Sequence, residues 1–220
     1  MIRVKICGIT NWPDARAACD AGANLLGLNF YEKSLRRVSA ADAAQIRGKL
    51  PAGVEAVGVF VNSGPEEIAA LRSFVRFNIA QLHGDEGSDF VSQVVRTVPV
   101  IKAFRVDTGF ALSAFSAYPD VLAFLLDGMR TGQYGGTGST TDWALARRAA
   151  ASHRIILAGG LTPENVNTAI CLVRPYAVDV ASGVESSPGK KDPAKLQEFV
   201  QEVRRAESQL EAPAEESEHA

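Results

Sequence analysis

Only three of the 220 residues are cysteine, Cys7, Cys19 and Cys171. The number is odd and no two lie close together, so neither a disulfide framework nor a zinc site is indicated, and no metal is expected. Long apolar runs are missing as well: the longest stretch, VLAFLL, falls far short of the ~20 residues that span a bilayer. Arg3 sits in the first apolar run with no cleavable apolar segment before it, so the expected location is cytoplasmic, with no membrane partner. Aromatic residues make up only 7 %, and no basic stripe is interleaved with them, which excludes the dense basic face that nucleic acid requires. The formal net charge of -2 hides an asymmetry. The last fourteen residues, ESQLEAPAEESEHA, hold five glutamates and no Lys or Arg, leaving a body with 23 basic against 20 acidic residues. Such a balance suits an anionic small molecule held in a local pocket.

What the chain does have is alternation. Short apolar runs, RVKIC, NLLGLNF, EAVGVFV, IAQLH, VIKAFR, VLAFLLD, RIILAG and AVDVA, are separated by amphipathic stretches, the pattern of βα units around a parallel sheet. They number about eight and recur every ~26 residues, which predicts an α/β fold of one domain, a single (β/α)8 TIM barrel over residues 1–206. An open doubly wound sheet is the alternative. Helix starts agree with the repeat: Ser63 or Gly64 stands before Pro65, Glu66 and Glu67, and Thr162 before Pro163 and Glu164. The last helix is expected from about Asp192 to Arg205, with Leu196, Phe199, Val200 and Val203 on one face. Residues 207–220 are expected to form a disordered acidic tail.

A barrel takes its chemistry from the carboxyl ends of its strands, so the candidates are few. Cys7 ends the first run, where a small buried hydrophobe and a reactive thiol are both open readings. His83 ends the fourth, Asp127 the sixth, and Asp179 lies in the eighth. Asp127 shares a strand face with Ala123 and Leu125; it is either a loop cap or an inward carboxylate. The glycine-rich segment at 128–143, GMRTGQYGGTGSTTDW, is long enough for a lid. Turns at Gly159-Gly160 and at Ser182-Gly183 follow the seventh and eighth runs, where barrels build phosphate sites. Arg36, after the second run, is either a solvated charge or a two-pronged grip for a carboxylate. Lys5 and Asp179 face inward from neighbouring strands, as an interior ion pair or with Asp179 reaching the ligand. Cys19 and Cys171 fall within predicted helices and are expected to be inert.

Seven motifs in order, KICGIT, FYxKSxR ending at Arg36, QLHGDE, LLD ending at Asp127, YGGTG, GGLTPENV and DVASGVESxPGKKD, resemble phosphoribosylanthranilate isomerase, a cofactor-free enzyme of tryptophan biosynthesis. The resemblance covers the chain up to about Arg205. It implies an Amadori rearrangement of a phosphorylated small molecule by a monomer or homodimer. Asp127 would protonate the furanose ring oxygen and Cys7 would remove the C2′ proton. Arg36 would hold the anthranilate carboxylate, and the loops at Gly159, Gly160, Ser182 and Gly183 the phosphate. His83 and Asp179 join the substrate-binding set. The two catalytic groups would need opposite shifts, the carboxyl up and the thiol down. Ser139, where many relatives carry a basic or longer residue, is a local departure from the pattern. The histidine-pathway isomerase is the nearest rival, but its first strand ends in an aspartate and its second phosphate turn is absent from VFVNSGPEEI. A non-catalytic phosphate-binding barrel would not need Cys7 together with Asp127.

Overall fold

The computed structural model describes residues 1–106, 109–128 and 142–212. Eight strands, β1 (Arg3–Cys7), β2 (Leu25–Asn29), β3 (Glu55–Phe60), β4 (Ile79–Leu82), β5 (Val100–Val106), β6 (Ala123–Gly128), β7 (Ile155–Leu157) and β8 (Ala177–Val180), form a closed barrel in chain order. Every pairing is parallel, and β1 closes on β8. Each of the eight apolar runs holds one strand, β5 and β6 running a single residue past theirs to Val106 and Gly128, so this is the expected (β/α)8 barrel. Its helices are α1 (Trp12–Ala21), α2 (Ala40–Lys49), α3 (Pro65–Val75), α4 (Ser88–Val95), α5 (Trp143–Ala150), α6 (Pro163–Val173) and α7 (Pro193–Glu211). The connection from β5 to β6 carries a 3-10 helix, Leu112–Ala117, in place of an α-helix.

Strand alternation sorts the apolar residues into two cores. Leu25, Val57, Ile79, Ile101, Leu125 and Ile156 point inward and fill the barrel. Val4, Ile6, Leu26, Leu28, Phe60 and Leu126 point outward and meet the helices. A fully buried aliphatic side chain of this kind stabilises by about 1.5–3 kcal/mol, so both faces of the sheet hold the barrel closed. The helix starts follow the capping chemistry: Asn11 accepts from Asp14 N, and Thr162 and Asn165 form a capping box.

The last helix departs from expectation. It continues through Glu211 rather than stopping near Arg205, and Glu207 accepts a hydrogen bond from Ile2 N while Arg204 Nη1 reaches Ile2 O at 3.0 Å. The boundary drawn at 206/207 is therefore corrected, because acidic composition there conceals a docked helical turn. The rest of the tail, 213–220, and the glycine-rich segment from 129 to 141, Ser139 included, lie outside the described residues. No described helix is long and apolar enough to cross a membrane.

Candidate active site

A cleft of ≈ 730 Å³, measured out to open solvent, lies at the carboxyl ends of the strands. Cys7, Arg36, His83, Asp127, Gly159, Gly160, Asp179 and Ser182 all line it. The structure thus brings together all of the sequence-nominated residues except Gly183, which packs against Leu161 beside the cleft rather than lining it.

The thiol owes its place to a missing side chain. Cys7 pairs with Gly27 across β1 and β2, and a Cβ on Gly27 would stand 2.8 Å from Cys7 Sγ and 3.1 Å from Lys5 Nζ. Lys5 is fully buried and pairs in register with Asp179, its Nζ 2.8 Å from Asp179 Oδ1. The interior ion pair is real, and Asp179 lines the cleft as well. Burial would lower the Lys5 ammonium, but Asp179 and Cys7 outweigh it and hold the group above its ordinary value. For Cys7 the balance runs the other way: burial pushes the thiol up, Lys5 and Lys191 pull it back, and Asp179 adds to the rise. The expected lowered thiol is therefore corrected to a raised one, since desolvation exceeds the attraction of two nearby cations. Cys19 and Cys171 lie in α1 and α6, in helices as expected, and like Cys7 are partly exposed, each packing against the outer core.

Across the barrel, Asp127 and His83 are both largely buried, with His83 Nε2 3.3 Å from Asp127 Oδ2. The approach is close without the alignment of a full hydrogen bond, and His83 Nε2 has no such partner among the described residues. Gln81, fully buried behind it, brings its amide nitrogen 2.8 Å from His83 Nδ1. With Gln81 as donor, the imidazole proton sits on Nε2 and faces the carboxylate.

The two phosphate-loop candidates pack backbone to backbone. Gly159 and Gly160 have φ of 84° and 63°, the left-handed region that favours glycine. A Cβ on Gly183 would fall 2.0 Å from Leu161 O, so only glycine lets the loop after β8 lie against the loop after β7. Ser182 opens a short 3-10 helix, Ser182–Val184, beside them.

Arg36 is neither free nor solvated. Its Nε and Nη2 donate to the two carboxylate oxygens of Glu185 at 2.8 and 2.7 Å. Glu185 also accepts from Lys191 Nζ at 2.9 Å, and all three side chains are largely buried. Glu185 and Lys191 were missed from the sequence. They sit on a small antiparallel hairpin, β9 (Glu185–Ser187) and β10 (Lys190–Lys191), too short and polar to signal itself. The available clue was a pair of opposite charges flanking a Ser-Pro-Gly turn. Asn29 and Ser34 were missed too: Asn29 Nδ2 donates to Ser34 Oγ, which accepts from Arg36 N and shapes the loop that presents Arg36. Among the described residues no group of His, Cys, Asp and Glu is arranged to hold a metal.

Comparison with known proteins gives the same reading. The family described as N-(5'phosphoribosyl)anthranilate (PRA) isomerase matches residues 4–202. The N-(5'-phosphoribosyl)anthranilate isomerase of Rubrobacter xylanophilus is 48% identical over 201 residues, covering 91% of this chain and 98% of that one. The phosphoribosyl anthranilate isomerase structure from Thermus thermophilus superposes with a TM-score of 0.85 at 40% identity, covering 93% of this chain and 99% of that one. A structure of the isomerase in complex with reduced 1-(o-carboxyphenylamino)-1-deoxyribulose 5-phosphate has a TM-score of 0.81 at 41% identity, covering 93% of this chain and all of that one. With a family match over most of the barrel and near-complete coverage of its relatives, this chain belongs to the N-(5'-phosphoribosyl)anthranilate isomerase family, the isomerases of tryptophan biosynthesis.

Proposed function

We propose that this isomerase performs its Amadori rearrangement with Asp127 as general acid and Cys7 as general base. The observation that carries the reading is the meeting, on one cleft, of a thiol at the end of β1 and a carboxyl at the end of β6, with glycine-built loops and a held guanidinium beside them. The substrate, N-(5-phosphoribosyl)anthranilate, is an aminoaldose with an anion at each end. Backbone amides of the loops at Gly159, Gly160 and Ser182 take the phosphate, and Arg36 takes the anthranilate carboxylate. Between them, Asp127 gives a proton to the furanose ring oxygen, and the ring opens to a Schiff base. Cys7 then accepts the C2′ proton, the released electron pair forms the C1′–C2′ double bond, and tautomerisation yields the 1-amino-1-deoxy-ribulose phosphate. His83 Nε2 lies beside one oxygen of Asp127, and the other oxygen is left for the substrate.

The test follows the fluorescence of freshly prepared phosphoribosylanthranilate. Asp127→Asn keeps the side chain's shape but removes its acidic proton, so turnover is expected to fall by at least ~100-fold while a product analogue still binds. Cys7→Ser is expected to fold and to lose nearly all turnover, because a hydroxyl is far too weak an acid to supply an anionic base. Normal turnover in either variant would remove that residue from its role; if the variant is Asp127→Asn, His83 becomes the next candidate acid.

A further inference from the structure

An arginine whose fork is already occupied looks like a poor receptor for a carboxylate, yet the geometry around Arg36 resolves this. The guanidinium offers five N–H donors on three edges. Glu185 takes the side edge, Nε and Nη2, and no described residue takes the end edge formed by Nη1 and Nη2. Glu185 is in turn engaged by Lys191 Nζ, which also donates to Ala181 O at 3.0 Å. The trio carries two cations and one anion. Burial lowers the Lys191 ammonium and Glu185 draws it partway back up; with Lys191 protonated the trio's net charge is +1, so Lys191 offsets Glu185 and Arg36 keeps its attraction for an anion.

The stem of Arg36 is confined as closely as its head. Gly8, next to Cys7, has φ of 77°, and a Cβ there would stand 2.5 Å from Arg36 Cδ. The arginine therefore lies flat on the backbone that carries the thiol. The hairpin bearing Glu185 and Lys191 is fixed to the same region: Thr10 Oγ1 donates to Gly189 O at 3.0 Å, and Lys191 N donates to Asp14 Oδ2 at 2.9 Å. A long side chain on a loop otherwise samples many rotamers, and ordering it only when substrate arrives would weaken binding.

We propose that Glu185 is a positioning residue for Arg36, that Lys191 preserves the cluster's positive charge, and that together they set the enzyme's selectivity for an aminoaldose bearing an aromatic carboxylate. The proposal rests on the reading that Arg36 holds the anthranilate carboxylate. Neither Glu185 nor Lys191 touches the substrate in this scheme; each acts through the guanidinium.

The experiment measures dissociation constants for two probes, reduced 1-(o-carboxyphenylamino)-1-deoxyribulose 5-phosphate and the same molecule without its carboxylate. Glu185→Gln is expected to weaken the first about tenfold or more and the second less than about twofold, and Lys191→Met to do the same in direction. Glu185→Gln placed on Arg36→Met is expected to add nothing. Because Glu185→Gln leaves Arg36 and Lys191 facing each other unpaired, Glu185→Gln/Lys191→Met provides a variant without the like-charge pair, and melting curves report whether each one folds. Equal weakening of both probes, or none, in the folded Glu185 variants would overturn the positioning role. If Arg36→Met itself fails to discriminate between the probes, the carboxylate role of Arg36 falls and the positioning proposal falls with it. Discrimination by Arg36→Met but not by the Glu185 variants removes Glu185 alone.

Discussion

Lys5 and Cys7 are two residues apart on one strand and face the same way, so β alternation alone places an ammonium beside a thiol. Asp179 completes the group from β8 as the ion-pair partner of Lys5, beside the thiol. The raised Cys7 thiol has a sign that can be followed. Below the ordinary cysteine value of ~8.5 the folded protein holds the thiol protonated more firmly than the unfolded chain does. This contribution to stability is fully present there and is lost as pH rises through the folded-state value. Reactivity follows the opposite course, since only the thiolate is nucleophilic. The rate of Cys7 alkylation by iodoacetamide is therefore expected to keep climbing past pH ~8.5 in the free enzyme. Removing the pair with Lys5→Met/Asp179→Asn is expected to move the midpoint higher still, because the attraction of Lys5 outweighs the repulsion of Asp179. Peptide mapping is needed to isolate Cys7, since Cys19 and Cys171 are also partly exposed. A Cys7 midpoint below the ordinary value, or a downward shift in the double variant, would contradict this balance.

At the level of elements, strands were legible and their polar decorations were not. Each of the eight apolar runs became a strand because its residues are buried on both faces, the condition that makes a parallel strand conspicuous. Helix starts were readable from the Ser63-Gly64 pair and Thr162, but of the described helices only α1 ends on a glycine cap, Gly22; α3 and α6 instead end on Arg76 and Arg174, with φ of 62° and 53°. The hairpin β9–β10 exists through contacts with Thr10, Asp14 and the Arg36 loop, none of which is local in sequence. Cys7, Asp127 and both glycine turns could be nominated because strand ends carry the chemistry of a barrel, whereas the partners that hold them are chosen by tertiary approach. Gly183 joins the two levels. Gly183→Ala would drive a methyl group into Leu161 O, so the loop after β8 must move away from Gly159 and Gly160. Affinity for a phosphorylated product analogue is expected to fall at least about tenfold, with a stability loss of about 1–3 kcal/mol from the strained contact. Calorimetric titration beside a melting curve checks both, and unchanged affinity would mean that the loops do not act as one phosphate site.

The whole molecule is closed twice, once by β1 pairing with β8 and once by α7 packing on α1 and α6. The second closure reaches the chain's beginning. Glu207 accepts from Ile2 N and from Arg204 Nη1, while Arg204 Nη1 also donates to Ile2 O and Leu210 packs against the outer core. The last turns of α7 therefore hold the entry to β1, the strand that ends in Cys7. Acidic composition pointed to a loose tail because charge density says nothing about where a particular carboxylate finds a backbone amide. Two truncations separate the possibilities. Removing residues 207–220 deletes the contacts of Glu207 and Leu210, leaving only Arg204 on Ile2 O, and is expected to cost about 2 kcal/mol, which for a domain of this size lowers Tm by roughly 4–8 °C. Removing only 213–220 takes away none of them and is expected to shift Tm by no more than about 2 °C. Activity at low temperature should survive both, since the cleft lies at the opposite ends of the strands from the contact with Ile2. Equal melting temperatures for the two truncations would show that the end of α7 does not stabilise the barrel; a larger loss from the shorter deletion would place the stabilising contact beyond Ala212.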